Sequence, residues 1–328
     1  MATAAAAANI SVQYCMAHPA AFLEALKLPA VTNGRASGDY QTPMGNLLLY
    51  GTAAPFFAAV GIAPSKDNFW TTPRQPRPPT RPGHAPACDG GGRNVTDNFL
   101  HALVATLSTG PVGFSDALGF TNASLVMQTC NSDGLLLKPG LPLAAVDRSF
   151  GVDGPHLSGN VWSTHTTLAV ASSSSSTDMM YWYFTLGIAV EQPWNLTRRD
   201  LYPPLALSQA VVVWDYDDPR SARLVSAGQP TLSPMMAVTA PCKFCTLGHR
   251  YVITAPVLAS GWALLGEPAK LTPVSVQRRW RLADTGSNLH VEVAGASGES
   301  VAISAWRGGV VSSKSVLIGP SGTGSVVF

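Results

Sequence analysis

Over residues 11 to 130, short apolar segments that end in polar residues alternate with stretches of helix length. After about residue 150 the texture changes to short β-rich runs bounded by Gly, Pro, Asp and Asn. The first pattern is that of βα units around a parallel sheet, and the second is that of antiparallel strands joined by turns. The change predicts two domains, residues 1–150 and residues 151–328. A chain of 328 residues is long enough for both.

In the first part, Ser11 to Met16 reads as a short strand and Pro19 to Leu28 as a helix. Its spacing places Phe22, Leu23, Leu26 and the alkyl stem of Lys27 on one face. Ala30 to Thr32 starts another strand, and Asn46 to Val60 is an Ala-rich stretch of helix length. Asp97 to Leu107 reads as a helix running into a strand end, with Asp97 in position to cap it. The Pro-rich stretch Pro73 to Pro86, followed by Gly90 to Gly92, is a surface excursion. In the second part, Trp162 to Val170, Met179 to Val190, Leu207 to Trp214 and Tyr251 to Val257 read as strands. So do Val274 to Trp280, Leu289 to Val293 and Val301 to Trp306, and together they predict an antiparallel β-sandwich. Ser172 to Ser176 is a low-complexity loop between two of them.

Composition narrows the partners. Charged residues make up 12% of the chain, about half the usual fraction. The net charge is +2, and the densest basic stretch, Arg74 to Arg81, is Pro-rich, so nucleic acid is excluded as a partner. No run of 18 uncharged apolar residues exists, so no membrane span is expected. Five cysteines are too few and too scattered to staple a fold of this size. Sequons stand at Asn9, Asn94, Asn122 and Asn195. Met1 to Asn9 is an alanine run without the basic segment of a signal peptide. As written the protein is expected in the cytoplasm, and in a secreted or organellar compartment if the true start lies upstream.

Three clusters carry candidate chemistry. Arg35-Ala-Ser-Gly-Asp39-Tyr40 follows a short strand, and Asp67-Asn-Phe-Trp70 sets a carboxylate beside an aromatic platform. Ser108-Thr-Gly-Pro-Val-Gly-Phe-Ser-Asp116 ends in a third carboxylate. Carboxylates beside aromatic rings on successive strand ends suit neutral, polyhydroxylated substrates. Arg35 and Asp39 equally suit a structural ion pair. Cys242-Lys-Phe-Cys245 with His249 has metal-like spacing but supplies only three ligands, so no zinc and no other cofactor is expected. Gly90 to Gly92 is no phosphate loop. No Gly-x-Ser-x-Gly elbow is present.

Taken in order, Gln13-Tyr-Cys-Met16, Arg35-Ala-Ser-Gly-Asp39-Tyr40, Lys66-Asp67-Asn-Phe-Trp70, Ser108 to Asp116 and Asp133-Gly134-Leu-Leu-Leu137 resemble one family. It is the α-galactosidase and raffinose synthase (seed imbibition) group of glycoside hydrolases. The resemblance covers roughly residues 11 to 160 and continues diffusely through Ala255-Pro-Val257 and Gly261-Trp262. It implies the second half of a (β/α)₈ TIM barrel followed by a β-sandwich. It implies Asp39 as general acid/base, and Arg35, Tyr40, Asp67, Trp70 and Asp116 as substrate-facing or supporting residues, with Cys15 near the site wall. Gly38 stands where that family often has a second Asp. The implied partner is an oligosaccharide or galactoside, handled by hydrolysis or by galactosyl transfer.

The family's nucleophile lies in a Lys-x-Asp segment upstream, and Met1 to Tyr14 holds no Asp or Glu. The resemblance therefore implies an absent N-terminal barrel half as a further partner, and inactivity of these residues by themselves. The rival reading is a non-catalytic carbohydrate-binding or structural protein using Trp162, Trp182, Trp194, Trp214, Trp262 and Trp306, most of which are expected in the core.

Overall fold

A computed structural model describes residues 2–15, 19–40, 45–76, 97–150, 160–172, 177–190, 194–235 and 248–328. Among these residues the protein is a mixed α/β fold with several sheets and few helices. It divides into two compact units. The first is built mainly from Met1–Val126, and the second from Met127–Leu141, Ala145–Ala237 and His249–Phe328. Met16, the excursion beyond residue 76 with Gly90 to Gly92, and most of the Ser172 to Ser176 run lie outside the described residues. So do Asn94, Cys88, Cys242 and Cys245.

The first unit begins with helix α1 (Ala2–Ala7) and holds a parallel sheet of β1 (Val12–Tyr14), β2 (Val31–Arg35) and β3 (Ala63–Ser65), in that order. Val12 pairs with Val31, and Arg35 with Ser65. Parallel neighbours need long crossovers, supplied by helices α2 (Pro19–Ala25) and α3 (Gly45–Ala59). Helix α2 buries Phe22 and Ala25, one turn apart, while Leu23 and Leu26 are 53% and 61% exposed. The expected apolar face is thus corrected: the helix ends at Ala25, and only the i, i+3 pair points inward. Helix α3 buries Leu47, Tyr50, Ala54 and Phe57, the spacing of a helical stripe. The Phe22 and Phe57 rings meet at 4.3 Å across β2. Gly34 is the residue beneath them, where a Cβ would come within 2.6 Å of both.

Helix α4 (Asn98–Leu107) buries Leu100, Ala102, Leu103, Val104 and Leu107 completely. A helix buried on nearly every side belongs in a core. The strand expected at its end does not form. Ser108 turns extended and its Oγ donates to the Ala105 carbonyl at 2.6 Å. Asp97 occupies the cap position without a side-chain cap bond. The following loop approaches β3 closely, with the Gly110 amide donating to Pro64 O at 2.9 Å. A side chain at Gly110 would collide with that carbonyl, since its Cβ would stand 2.6 Å away. Phe69 and Phe114 add an isolated parallel bridge. Helix α5 (Ala123–Met127) follows.

The second unit is β-rich. After β4 (Ala144–Ala145) come β5 (Asn160–Ser172), β6 (Thr177–Ile188), β7 (Asn195–Thr197), β8 (Val211–Asp215), β9 (Asp218–Val225) and β10 (Thr231–Pro234). Then follow β11 (His249–Pro256), β12 (Ala263–Gly266), β13 (Arg281–Asp284), β14 (Leu289–Ala294), β15 (Ser300–Arg307), β16 (Val310–Leu317) and β17 (Thr323–Val327). The large sheet runs β17-β14-β13-β5-β6-β11-β8-β9. Along that path only β13 and β5 pair in parallel. A second sheet runs β12-β15-β16, and β10 pairs with β7. One face of the large sheet carries Val161, Tyr183, Val211, Val213 and Val252, covered by Val190, Leu196, Leu201, Leu205 and Leu232. The opposite face carries Trp162, Trp182 and Trp214, all but fully buried, and Trp182 Nε1 donates to Leu264 O in β12 at 2.8 Å. Leu289, Val291 and Val293 are buried and His290 is exposed, the alternation read in that strand.

Val274 to Trp280 is not a strand. Val276–Arg278 form a 3₁₀ turn capped by Ser275, whose Oγ accepts from the Gln277 amide at 3.2 Å. The apparent alternation comes from a turn that points Val274, Arg278 and Trp280 inward. The residue after it, Arg279, takes a left-handed conformation with φ 45°.

Candidate functional site

The ends of β2 and β3 lie side by side because Arg35 pairs with Ser65, and the Ala36 amide extends the ladder to Ser65 O at 2.9 Å. Residues just past the ends of adjacent parallel strands therefore share one rim. Arg35, only 10% exposed in its side chain, reaches Asp39 through Nη2 at 2.7 Å and Asp67 through Nη1 at 3.2 Å. Asp67 Oδ2 also accepts from the Tyr40 amide at 2.7 Å, and the Asp67 amide donates to Ser37 Oγ at 2.9 Å. The two strand-end segments are thus sewn together by one guanidinium, one carboxylate and one hydroxyl. Asp39 remains 55% exposed. Burial acts to lower the Arg35 pKa, but bonding and charge from Asp67, the charge of Cys15 and the bond to Asp39 outweigh it and raise it.

The Tyr40 ring meets Trp70 edge-on at 5.8 Å and His101 at 5.0 Å. Burial pushes the Tyr40 phenol up to about 12, opposed by the Trp70 backbone and assisted by the charges of Asp116 and Asp97. Asn98, on α4, donates to the Trp70 carbonyl at 2.7 Å and holds that residue in place. Cys15, just past β1, is an exposed free thiol. Asp116 does not join Asp39 and Asp67 on Arg35. Its carboxylate takes the Thr71 amide at 2.8 Å, the Thr71 hydroxyl at 2.7 Å and Gln75 Nε2 at 2.8 Å. It ties the segment after Trp70 to its own loop.

Two basic residues of the rim are not among the candidate site residues that the sequence offers. Lys66 is 5% exposed, with its ammonium 5.2 Å from the Tyr40 ring centre and 5.1 Å from that of Phe69. Burial lowers it to about 7, against the charge of Asp67 and helped by that of Arg35. His101 is 6% exposed and held well below its ordinary range by burial and then by the Lys66 charge. A lysine beside an acid is ordinarily a surface feature, and this one is buried against the Tyr40 and Phe69 rings.

The pH dependence of stability follows. Lys66 and Lys138 both fall from 10.5 to about 7 through burial. Between these values the unfolded chain holds two protons that the folded chain has lost, so stability rises with pH from about 7 to 10. Buried Tyr40, Tyr50 and Tyr251 are raised above 10. Above pH 10 the unfolded chain loses their protons first, and stability falls. The urea midpoint is expected to climb from pH 7 to a maximum near pH 10. A midpoint that is flat or declining over that window would contradict the burial of the two lysines.

Elsewhere, an open cleft lined by Ser132, Lys270 and Glu299 has its polar groups engaged. Lys270 Nζ donates to the Met127 and Cys130 carbonyls at 2.7 Å each, and Glu299 binds Arg278. Trp162, Trp182, Trp214 and Trp306 are core residues, and Trp194 lies partly buried under Arg148 at 4.2 Å. Among the described residues no group of three or more His, Cys, Asp or Glu is placed to hold a metal ion. Among them, too, no helix is long and apolar enough to cross a membrane. No protein-family model matches the sequence, and no curated protein matches it.

Proposed function

We propose that the chain is a glycoside-processing protein of the α-galactosidase and raffinose synthase kind, whose strand-end rim receives a neutral α-galactoside. The observation that supports this is the convergence of Asp39 and Asp67 on Arg35 at adjacent parallel strand ends, with Tyr40 and Trp70 beside them. Asp39, exposed, is the proton donor to the glycosidic oxygen. Tyr40 and Trp70 offer ring surface to the sugar, and Asp67 keeps Tyr40 and Arg35 in register. In the same reading, residues 1–150 are the second half of a (β/α)₈ barrel and residues 151–328 a β-sandwich domain.

Retaining hydrolysis needs two carboxyls about 5–5.5 Å apart with the anomeric carbon between them. Here the Arg35 guanidinium holds both carboxylates, so Asp67 does not serve as nucleophile opposite Asp39. These 328 residues are expected to bind the sugar without cleaving it. Calorimetric titration with raffinose and methyl α-galactoside tests this. Binding should weaken about tenfold in Trp70→Ala and in Asp39→Asn, as loss of one good contact implies. No binding by the wild-type chain would remove the galactoside reading. Release of galactose by the pure chain, abolished in Asp39→Asn, would instead overturn its inactivity.

A further inference from the structure

We propose that Lys66 is a carbonyl-reactive lysine, and that the aromatic cage around it receives a small aldehyde such as the open-chain form of a short sugar. This reading is independent of the glycoside proposal and adds a second chemistry to the same rim. Lys66 follows β3 directly and turns inward between the Tyr40 and Phe69 rings. It donates to the Asp67 backbone carbonyl at 2.8 Å, and among the described residues it pairs with no carboxylate. His101 closes the cage from α4, stacked nearly parallel to Phe69 at 6.2 Å. Its Nδ1 is buried and has no hydrogen-bond partner among the described residues. A buried polar atom without a partner is unfavourable, so a polar group bound there would relieve it.

The chemistry is that of a desolvated amine. Asp67 and Arg35 face Lys66 from the strand ends, Tyr40 and His101 face it from the cage, and burial dominates them in lowering it to about 7. About half of it is free base at neutral pH, the form that attacks a carbonyl. The nitrogen lone pair adds to the aldehyde carbon, and the carbonyl electron pair moves to oxygen. That oxygen takes up the proton released by nitrogen, to give a carbinolamine. Loss of water then leaves the imine, and no oxidant or reductant is consumed.

Incubating the whole chain at pH 7 with limiting glycolaldehyde and cyanoborohydride traps the imine as a stable secondary amine that peptide mass spectrometry locates. An ordinary lysine holds about 10³-fold less free base at this pH. Lys66 is therefore expected to be modified at least about tenfold faster than exposed Lys27 and Lys314, even with restricted access. Lys138 is the internal control, because burial alone lowers it to the same value. The Lys66→Arg variant should lose the adduct at residue 66 and keep the remaining pattern; the wild-type ranking decides if that variant does not fold. Modification of Lys138 at the rate of Lys66 would overturn the proposal, since low basicity would then explain the reactivity without the cage. So would a Lys66 rate no higher than those of Lys27 and Lys314.

Discussion

Replacing Arg278 by methionine is expected to destabilise the β-rich unit by about 3–5 kcal/mol, because it leaves two buried carboxylates without their cation. Arg278 is 1% exposed and stands between Glu267 and Glu299, 5% and 7% exposed. Nε and Nη2 donate to Glu267 at 2.6 and 2.8 Å, and Nη1 and Nη2 donate to Glu299 at 2.7 and 2.8 Å. The three residues belong to separate turns: after β12, in the 3₁₀ turn, and before β15. Gly295 makes room for them, since a Cβ there would come within 2.5 Å of Glu299 Oε2. Burial raises Glu267, whereas bonding and charge from Arg278 overcome burial and lower Glu299. Their contributions to acid stability therefore oppose each other, and the loss in Arg278→Met should persist across neutral pH. Urea unfolding followed by tryptophan fluorescence reads this unit, which contains Trp162, Trp182 and Trp214. Adding Glu267→Gln and Glu299→Gln should recover part of the loss. A single-variant loss below about 1 kcal/mol would show that the triad is solvated in solution and the buried pairing is wrong.

Arg198→Met is expected to cost roughly 3 kcal/mol by a different route, the orphaning of backbone carbonyls. The Arg198 guanidinium donates to Gln229 O at 2.7 Å, Ala206 O at 2.9 Å, Gln209 O at 2.6 Å and Ser226 O at 3.1 Å. One planar cation thereby gathers two loops that share no strand. Arg198→Lys should recover little, because a point ammonium cannot span carbonyls spread along the edge of a guanidinium. Hydrogen exchange adds the local readout: amides bordering these loops, such as Leu205 bonded to Arg198 O, should exchange faster in both variants. Protection left unchanged in Arg198→Met would mean that the loops are held by their apolar anchors, Leu201 and Leu205, instead.

What the chain determines locally is visible in its pattern. The stripe Leu47, Tyr50, Ala54, Phe57 is helical by spacing, and Leu289 to Val293 alternates as a half-buried strand must. Arg35, Asp39, Tyr40, Asp67 and Trp70 were readable as rim residues because Arg35 ends a short strand and the others follow one, and parallel neighbours bring such ends together whatever the loops contain. The pattern misled where a side chain's direction depends on partners far away. Val274 to Trp280 alternates like a strand, yet Arg278 turns inward to carboxylates 11 and 21 residues distant. Leu23 and Leu26 are apolar at helical spacing, yet both are exposed: Leu23 points away from the Phe22–Ala25 face, and Leu26 falls past the end of helix α2.

Lys66 and His101 mark the limit most sharply. Nothing in Ser-Lys-Asp or in an isolated histidine announces a buried base, because desolvation is a property of what packs around a group and not of the group itself. Periodicity and strand ends are short-range consequences of backbone geometry, and the sequence by itself determined those. Burial, charge partnering and the lowered basicity of Lys66 depend on segments brought together from across the chain, and only the tertiary structure decided them.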